Sequence, residues 1–230
     1  MCPTALFRLA ALSLILGGVL ALGGHIIQPL EPTDPSALLN YTQRSQPSHL
    51  LIFFGAVFVM LGLQGVLFRQ RTRAGLPGLI AVYALFFGLL LGEVIHSVLE
   101  FSILPLLVRS FPYAAIPLVQ ACYQGTPLAI LQKIGEFLCL AGVPLLGIVM
   151  LRARVFPGWA ALPLCLSTPV GFATLISSLN RVAMPLYPLC FYASSATLGF
   201  ALWSSLRLSV SFREVSGEAG SAGRAYSSVN

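Results

Sequence analysis

The chain has 230 residues, of which 57% are hydrophobic and only 9% charged, and its mean hydropathy is +0.88. That balance excludes a soluble globular domain and marks an integral membrane protein. The formal charge of +6 does not point to nucleic acid, because the thirteen basic residues are scattered through short connections and form no basic stripe with interleaved aromatics.

Six stretches are long enough to cross a hydrocarbon layer of about 30 Å as helices of about 20 residues. The expected fold is all-α, a six-helix transmembrane bundle over residues 1–208. Helix one is expected over residues 5–27. Arg8 before the apolar run and the small residues Ala21-Leu22-Gly23 resemble a signal peptide. The run exceeds the usual apolar core of about 7–15 residues and continues smoothly through His25, Ile26 and Ile27, so the helix is expected to be retained. In the first loop, residues 28–47, Glu31, Pro32, Asp34 and Pro35 favour turns, with helix initiation near Ser36.

Helix two is expected over residues 50–68, and helix three over 76–104, long enough to tilt or to emerge beyond the lipid. The connection over residues 105–127 is too apolar to hang free in water. Phe111, Tyr113, Ile116, Leu118 and Tyr123 suit a segment lying at the membrane interface. Helices four, five and six are expected over residues 128–150, 159–177 and 185–206. Pro163 and Pro169 in helix five enclose Ser167 and Thr168, so a kink compensated by hydroxyls is expected there rather than a break. Residues 209–230, rich in Ser, Gly and Ala with Glu214 and Glu218, read as a disordered cytoplasmic tail.

Arginines in short loops set orientation. Arg8, the run Arg69, Arg71 and Arg73, the pair Arg152 and Arg154, and the tail residues Arg207, Arg213 and Arg224 fall on alternate sides of the helices from the single Arg44, Arg109 and Arg181. Both termini are therefore expected in the cytoplasm. This orientation places all three histidines in the outer half. His96 and Glu136 lie about 12 Å below the outer boundary, Glu93 about 17 Å and Glu100 about 6 Å.

An ionised carboxylate within the bilayer is costly unless it is paired, protonated or facing water. Glu93, His96 and Glu100 occupy relative positions 0, 3 and 7 of helix three, one helical face, and are expected to converge on one partner. Gly88 and Gly92 form a GxxxG beside them, where a second helix or another chain can approach closely. Helix four offers Gln132, Lys133 and Glu136. The simplest arrangement pairs Lys133 with Glu100 and His96 with Glu136. Three carboxylates then face one lysine, and the two uncompensated charges call for protons, a protonated histidine or a metal cation.

A divalent metal on His49, His96 and Glu136, with His25 near, has a suitable ligand chemistry. Glu93-x-x-His96 resembles half of a di-iron bundle motif, which requires two. The five cysteines, Cys2, Cys122, Cys139, Cys165 and Cys190, have no paired spacing and read as small apolar residues. No His-Glu-x-x-His, Gly-x-Ser-x-Gly, P-loop or dinucleotide-binding pattern occurs, so the enzymatic reading has no motif behind it.

The order of features resembles a family of small bacterial multi-pass membrane proteins of unknown function. The likeness rests on His25 with Pro29, the Glu31-Pro32-Thr33-Asp34-Pro35 loop, Ser48-His49-Leu50, the polar face of helix three, Glu136, and the turn from Arg152 to Trp159. In that family the histidine directly precedes the proline, whereas here Gln28 does. The resemblance implies a six-helix fold in the bacterial inner membrane and no particular activity. Two function classes remain open. In one, Glu93, His96, Glu100, Lys133 and Glu136, with His49 and His25, bind a cation, protons or a small ligand. In the other, the chain is a structural subunit whose polar residues only pair helices and whose Gly88 and Gly92 face contacts a second copy or another membrane protein.

Overall fold

A computed structural model describes residues 3–29, 37–111, 126–174 and 186–206, together with Pro117 and Ile176. Among the described residues every regular element is helical. Helix α1, Pro3–Ile27, begins on a proline, whose missing N–H is not needed in a first turn, and its 25 residues suffice to cross a bilayer. Helix α2, Leu38–Gly88, passes without a loop into a π-helical segment, Leu89–Val94, then α3, Ile95–Val98, a second π segment, Leu99–Ile103, and α4, Leu104–Ser110.

This long run is interrupted at one residue. Gly75 adopts φ 55° and ψ −149°, a conformation open in practice only to glycine. On either side of it the chain doubles back. Tyr41 reaches Glu100, the Gln46 amide reaches the Phe101 carbonyl, and His49 meets His96. Residues 38–74 and 76–110 are thus the two limbs of an antiparallel hairpin. Helix two was expected to begin at residue 50 and to end before an arginine loop. The structure starts it at Leu38 and keeps Arg69, Arg71 and Arg73 helical, because arginine and glutamine are good helix formers and one glycine is enough to turn the chain.

Helix α5, Pro127–Ala153, is capped by the Thr126 hydroxyl, which accepts from the Ala129 N–H at 3.2 Å, and ends where Arg154 takes a left-handed conformation at φ 50°. Helix α6, Gly158–Ala173, carries Pro163 and Pro169 without breaking. Ser167 and Thr168 donate to the Leu164 carbonyl at 2.8 and 3.3 Å, the hydroxyl compensation expected of such a kink. Helix α7 spans Leu186–Leu206. The first helix, the hairpin, α5 and α7 are long and apolar enough to cross a membrane, while α6 has 16 residues. The acidic first loop (30–36), most of the connection expected at the interface (112–125 except Pro117) and the tail (209–230) lie outside the described residues.

Small residues bring the helices into backbone contact. A Cβ on Gly17 would meet the Gly55 carbonyl at 2.7 Å, one on Gly18 the Tyr192 carbonyl at 2.6 Å, so α1 lies between the first limb and α7. A Cβ on Gly88 would meet Cys139 of α5 at 2.7 Å, and one on Gly147 would meet Cys165 of α6 at 2.6 Å. Each contact joins neighbours running in opposite directions. Consequently Arg8, Arg69, Arg71, Arg73, Arg152 and Arg154 gather at the Gly75 end of the bundle. His25, His49, His96, Glu93 and Glu100 lie towards the other. The core between them is apolar, built from Val59, Leu63, Val82, Leu85, Leu146 and Leu202.

Candidate functional site

The two π segments decide where the acidic residues point. Glu93 lies in the first, Glu100 in the second, and His96 between them. A π turn bonds i to i+5 and is wider than an α turn, so each one rotates the residues beyond it away from the 0, 3, 7 face. The three side chains consequently fan out. Glu93 faces α1, where its Oε2 lies 3.8 Å from His25 Nε2. His96 turns between the hairpin and α5: Gln132 Nε2 donates to its Nδ1 at 3.4 Å, and its ring meets His49 edge to face at 5.4 Å. Glu100, buried to 6% exposure, accepts from the Tyr41 hydroxyl at 3.3 Å on the first limb. The expected convergence on one partner is replaced by three separate engagements.

His25 and His49 are joined through Gln28. His25 Nδ1 donates to Gln28 Oε1 at 3.2 Å, Gln28 Nε2 donates to His49 Nε2 at 3.4 Å, and His49 Nδ1 donates to the Ser45 carbonyl at 3.0 Å. The order of donors is forced. Turning the Gln28 amide end for end would require His49, already donating from Nδ1, to carry a second proton in a fully enclosed position. With Nδ1 as donor, the other nitrogen of a neutral His25 presents a lone pair to the Glu93 carboxylate. Two acceptors therefore face each other, with the ring of Tyr192 stacked on His25 at 5.5 Å.

Lys133 behaves differently from expectation. Its ammonium donates to Glu136 Oε2 at 3.1 Å on its own helix, rather than crossing to Glu100, and both side chains are largely uncovered at 76% and 47%. The i, i+3 spacing on α5 makes that the shortest path between opposite charges. The metal set His49, His96 and Glu136 is not assembled: among the described residues no three His, Cys, Asp or Glu side chains converge to hold a metal ion. Glu136 is directed to Lys133, leaving the two histidines without it.

The Gly88 and Gly92 face is likewise not free for a second chain. It is filled from within by Gly135 and Cys139, a Cβ on Gly135 having no room beside the Gly92 N–H. The expectation that the polar faces of helices three and four pack together holds, and it uses up the GxxxG.

Sequence reasoning passed over Gln28, Tyr41 and Tyr192. Gln28 lies three residues beyond His25, a spacing that signals a side-chain bond, whereas a lone tyrosine in an apolar helix carries no such mark. No protein-family model, curated protein or solved structure matches the chain.

Proposed function

We propose that this chain is a six-pass cell-membrane protein, with both ends in the cytoplasm, whose outer-half cluster binds a proton between His25 and Glu93. Six alternating directions, counting the hairpin as two passes and α6 as one, and the arginines gathered at the Gly75 end support the topology. The bacterial inner membrane is the setting suggested by the family resemblance. One observation carries the function: His25 Nε2 and Glu93 Oε2 are 3.8 Å apart in a part-buried site, and the bond from His25 Nδ1 to Gln28 leaves the facing nitrogen able only to accept unless a proton is added. A proton on either group removes the repulsion and satisfies a carboxylate held within the bilayer. One imidazole nitrogen and one carboxylate suit a proton better than a divalent metal, which needs more ligands.

Nitrogen-15 and carbon-13 NMR of protein labelled at histidine and glutamate, near neutral pH, tests this. The expected result is either an imidazolium at His25 or a protonated carboxyl at Glu93, with His25 becoming neutral in Glu93→Gln. A neutral His25 beside an ionised Glu93 would sink the reading. The structural alternative is favoured at other positions, since Tyr41 with Glu100 and Gln132 with His96 bridge helices through ordinary hydrogen bonds.

A further inference from the structure

Between Pro127 and Leu151, helix α5 carries two charged residues, Lys133 and Glu136, and both look outward at 76% and 47% exposure. A Cβ on Gly92 would meet the Glu136 backbone nitrogen at 3.6 Å, which sets Glu136 level with Glu93 and, in the topology proposed above, within the bilayer. The bond between the two cancels their charge. It uses one of three ammonium donors and one carboxylate oxygen, and among the described residues neither group has another hydrogen bond or ion pair. Hydrocarbon cannot fill the capacity that remains. Nor does Lys133 relieve itself by snorkelling outward, because its ammonium is drawn towards Glu136, almost one turn nearer the Gly75 end.

The neighbours of the pair complete a face. Ile130, Lys133, Ile134 and Phe137 recur at i, i+3, i+4 and i+7, one side of α5, and all four are exposed. Phe137, at 69%, is the most exposed large hydrophobic among the described residues, and Glu136 lies at the edge of the face. We propose that a second copy of the chain docks on this face within the membrane, each Lys133 bridging its own Glu136 and the partner's Glu136. Charge complementarity names the occupant. Two copies inserted the same way round are related by a two-fold axis along the membrane normal, which keeps every residue at its own depth and turns the same patch of each onto the other. Lys133 and the partner's Glu136 then differ in depth by about 4.5 Å at 1.5 Å per residue, a step that the flexible four-carbon stem of lysine spans. Two ammonium groups and two carboxylates close a neutral ring, with Ile130 and Phe137 packed around it in place of lipid. An unrelated chain would have to bring both charges at matching depths, whereas a second copy supplies them by symmetry. The inference rests on the proposed topology and not on the proton site at His25 and Glu93.

Förster transfer between donor-labelled and acceptor-labelled full-length chains in lipid vesicles, at rising protein-to-lipid ratio, tests this. Wild type is expected to pair. Lys133→Glu and Glu136→Lys, each alone, set four like charges together and are expected to pair about tenfold more weakly. A mixture of the two variants, donor on one and acceptor on the other, is expected to recover the wild-type transfer. Phe137→Ala, which leaves both charges in place, is expected to weaken pairing several-fold. A wild-type chain that stays single overturns the proposal, as it would were the face covered by lipid, by a different protein or by residues 112–125 of the same chain. Pairing that the two reversals or Phe137→Ala leave unchanged overturns it too, as does a mixture of folded variants that pairs no better than either alone.

Discussion

The half of the bundle near Gly75 and the half away from it are built on different principles. Near Gly75 the interior is apolar and the helices touch backbone to backbone, as where a Cβ on Gly62 would meet Leu14 at 2.5 Å and the Ala10 carbonyl at 2.8 Å. Away from it the interior admits Thr42, Ser45, Ser48, His49, Ser97 and Glu100, and the second limb loosens into two π segments. Close packing holds the first half by dispersion and shape, and leaves no latitude for motion or for water. The second half keeps close contacts, a Cβ on Gly24 meeting the Ser48 carbonyl at 2.7 Å, and sets titratable groups among them. Apolar and titratable interiors thus occupy opposite ends of the bundle, and a substitution should reveal which end it falls in.

The largest effect is expected from Gly62→Val. Its side chain has nowhere to go against the α1 backbone, and a loss of about 3 kcal/mol is expected from overpacking; thermal unfolding in detergent would show it, and an unchanged midpoint would mean that α1 is not seated against the first limb. Gln70 is the exception that sharpens the contrast. Its amide is wholly buried in the apolar half with neither atom bonded among the described residues, so Gln70→Met is expected to raise stability by about 1 kcal/mol. A fall in stability on that change would show that the amide has a partner. Lys133→Ala, which removes an uncovered pair on α5, should move stability by less than about 0.5 kcal/mol. A larger loss would place that pair within the packing of one chain rather than on its outward face.

Much of this architecture was readable from hydrophobic runs. Among the described residues the apolar stretches fall on helix, the fifth ending at Ala173 rather than at residue 177, and the Gly88 and Gly92 spacing foretold close contact with α5. The polar partners were not readable in the same way. The 0, 3, 7 spacing assumes α periodicity throughout, and the π segments that redirect Glu93, His96 and Glu100 leave no signature in residue type. Lys133 was assigned to Glu100 on charge balance across helices, where the intrahelical neighbour Glu136 is nearer. The bond between His25 and Gln28 was legible in principle, but an uncharged amide at a helix end attracts no notice when carboxylates are being counted.

The turn at Gly75 bears on how the protein enters the membrane at all. A single glycine joins two limbs within a run of 73 residues, so the pair can be delivered to the bilayer as one preformed hairpin. Glu100 then does not face lipid on a solitary helix. Tyr41 descends with Glu100 as its partner from the start, and the cost of inserting that carboxylate is met before α5, α6 and α7 have been made.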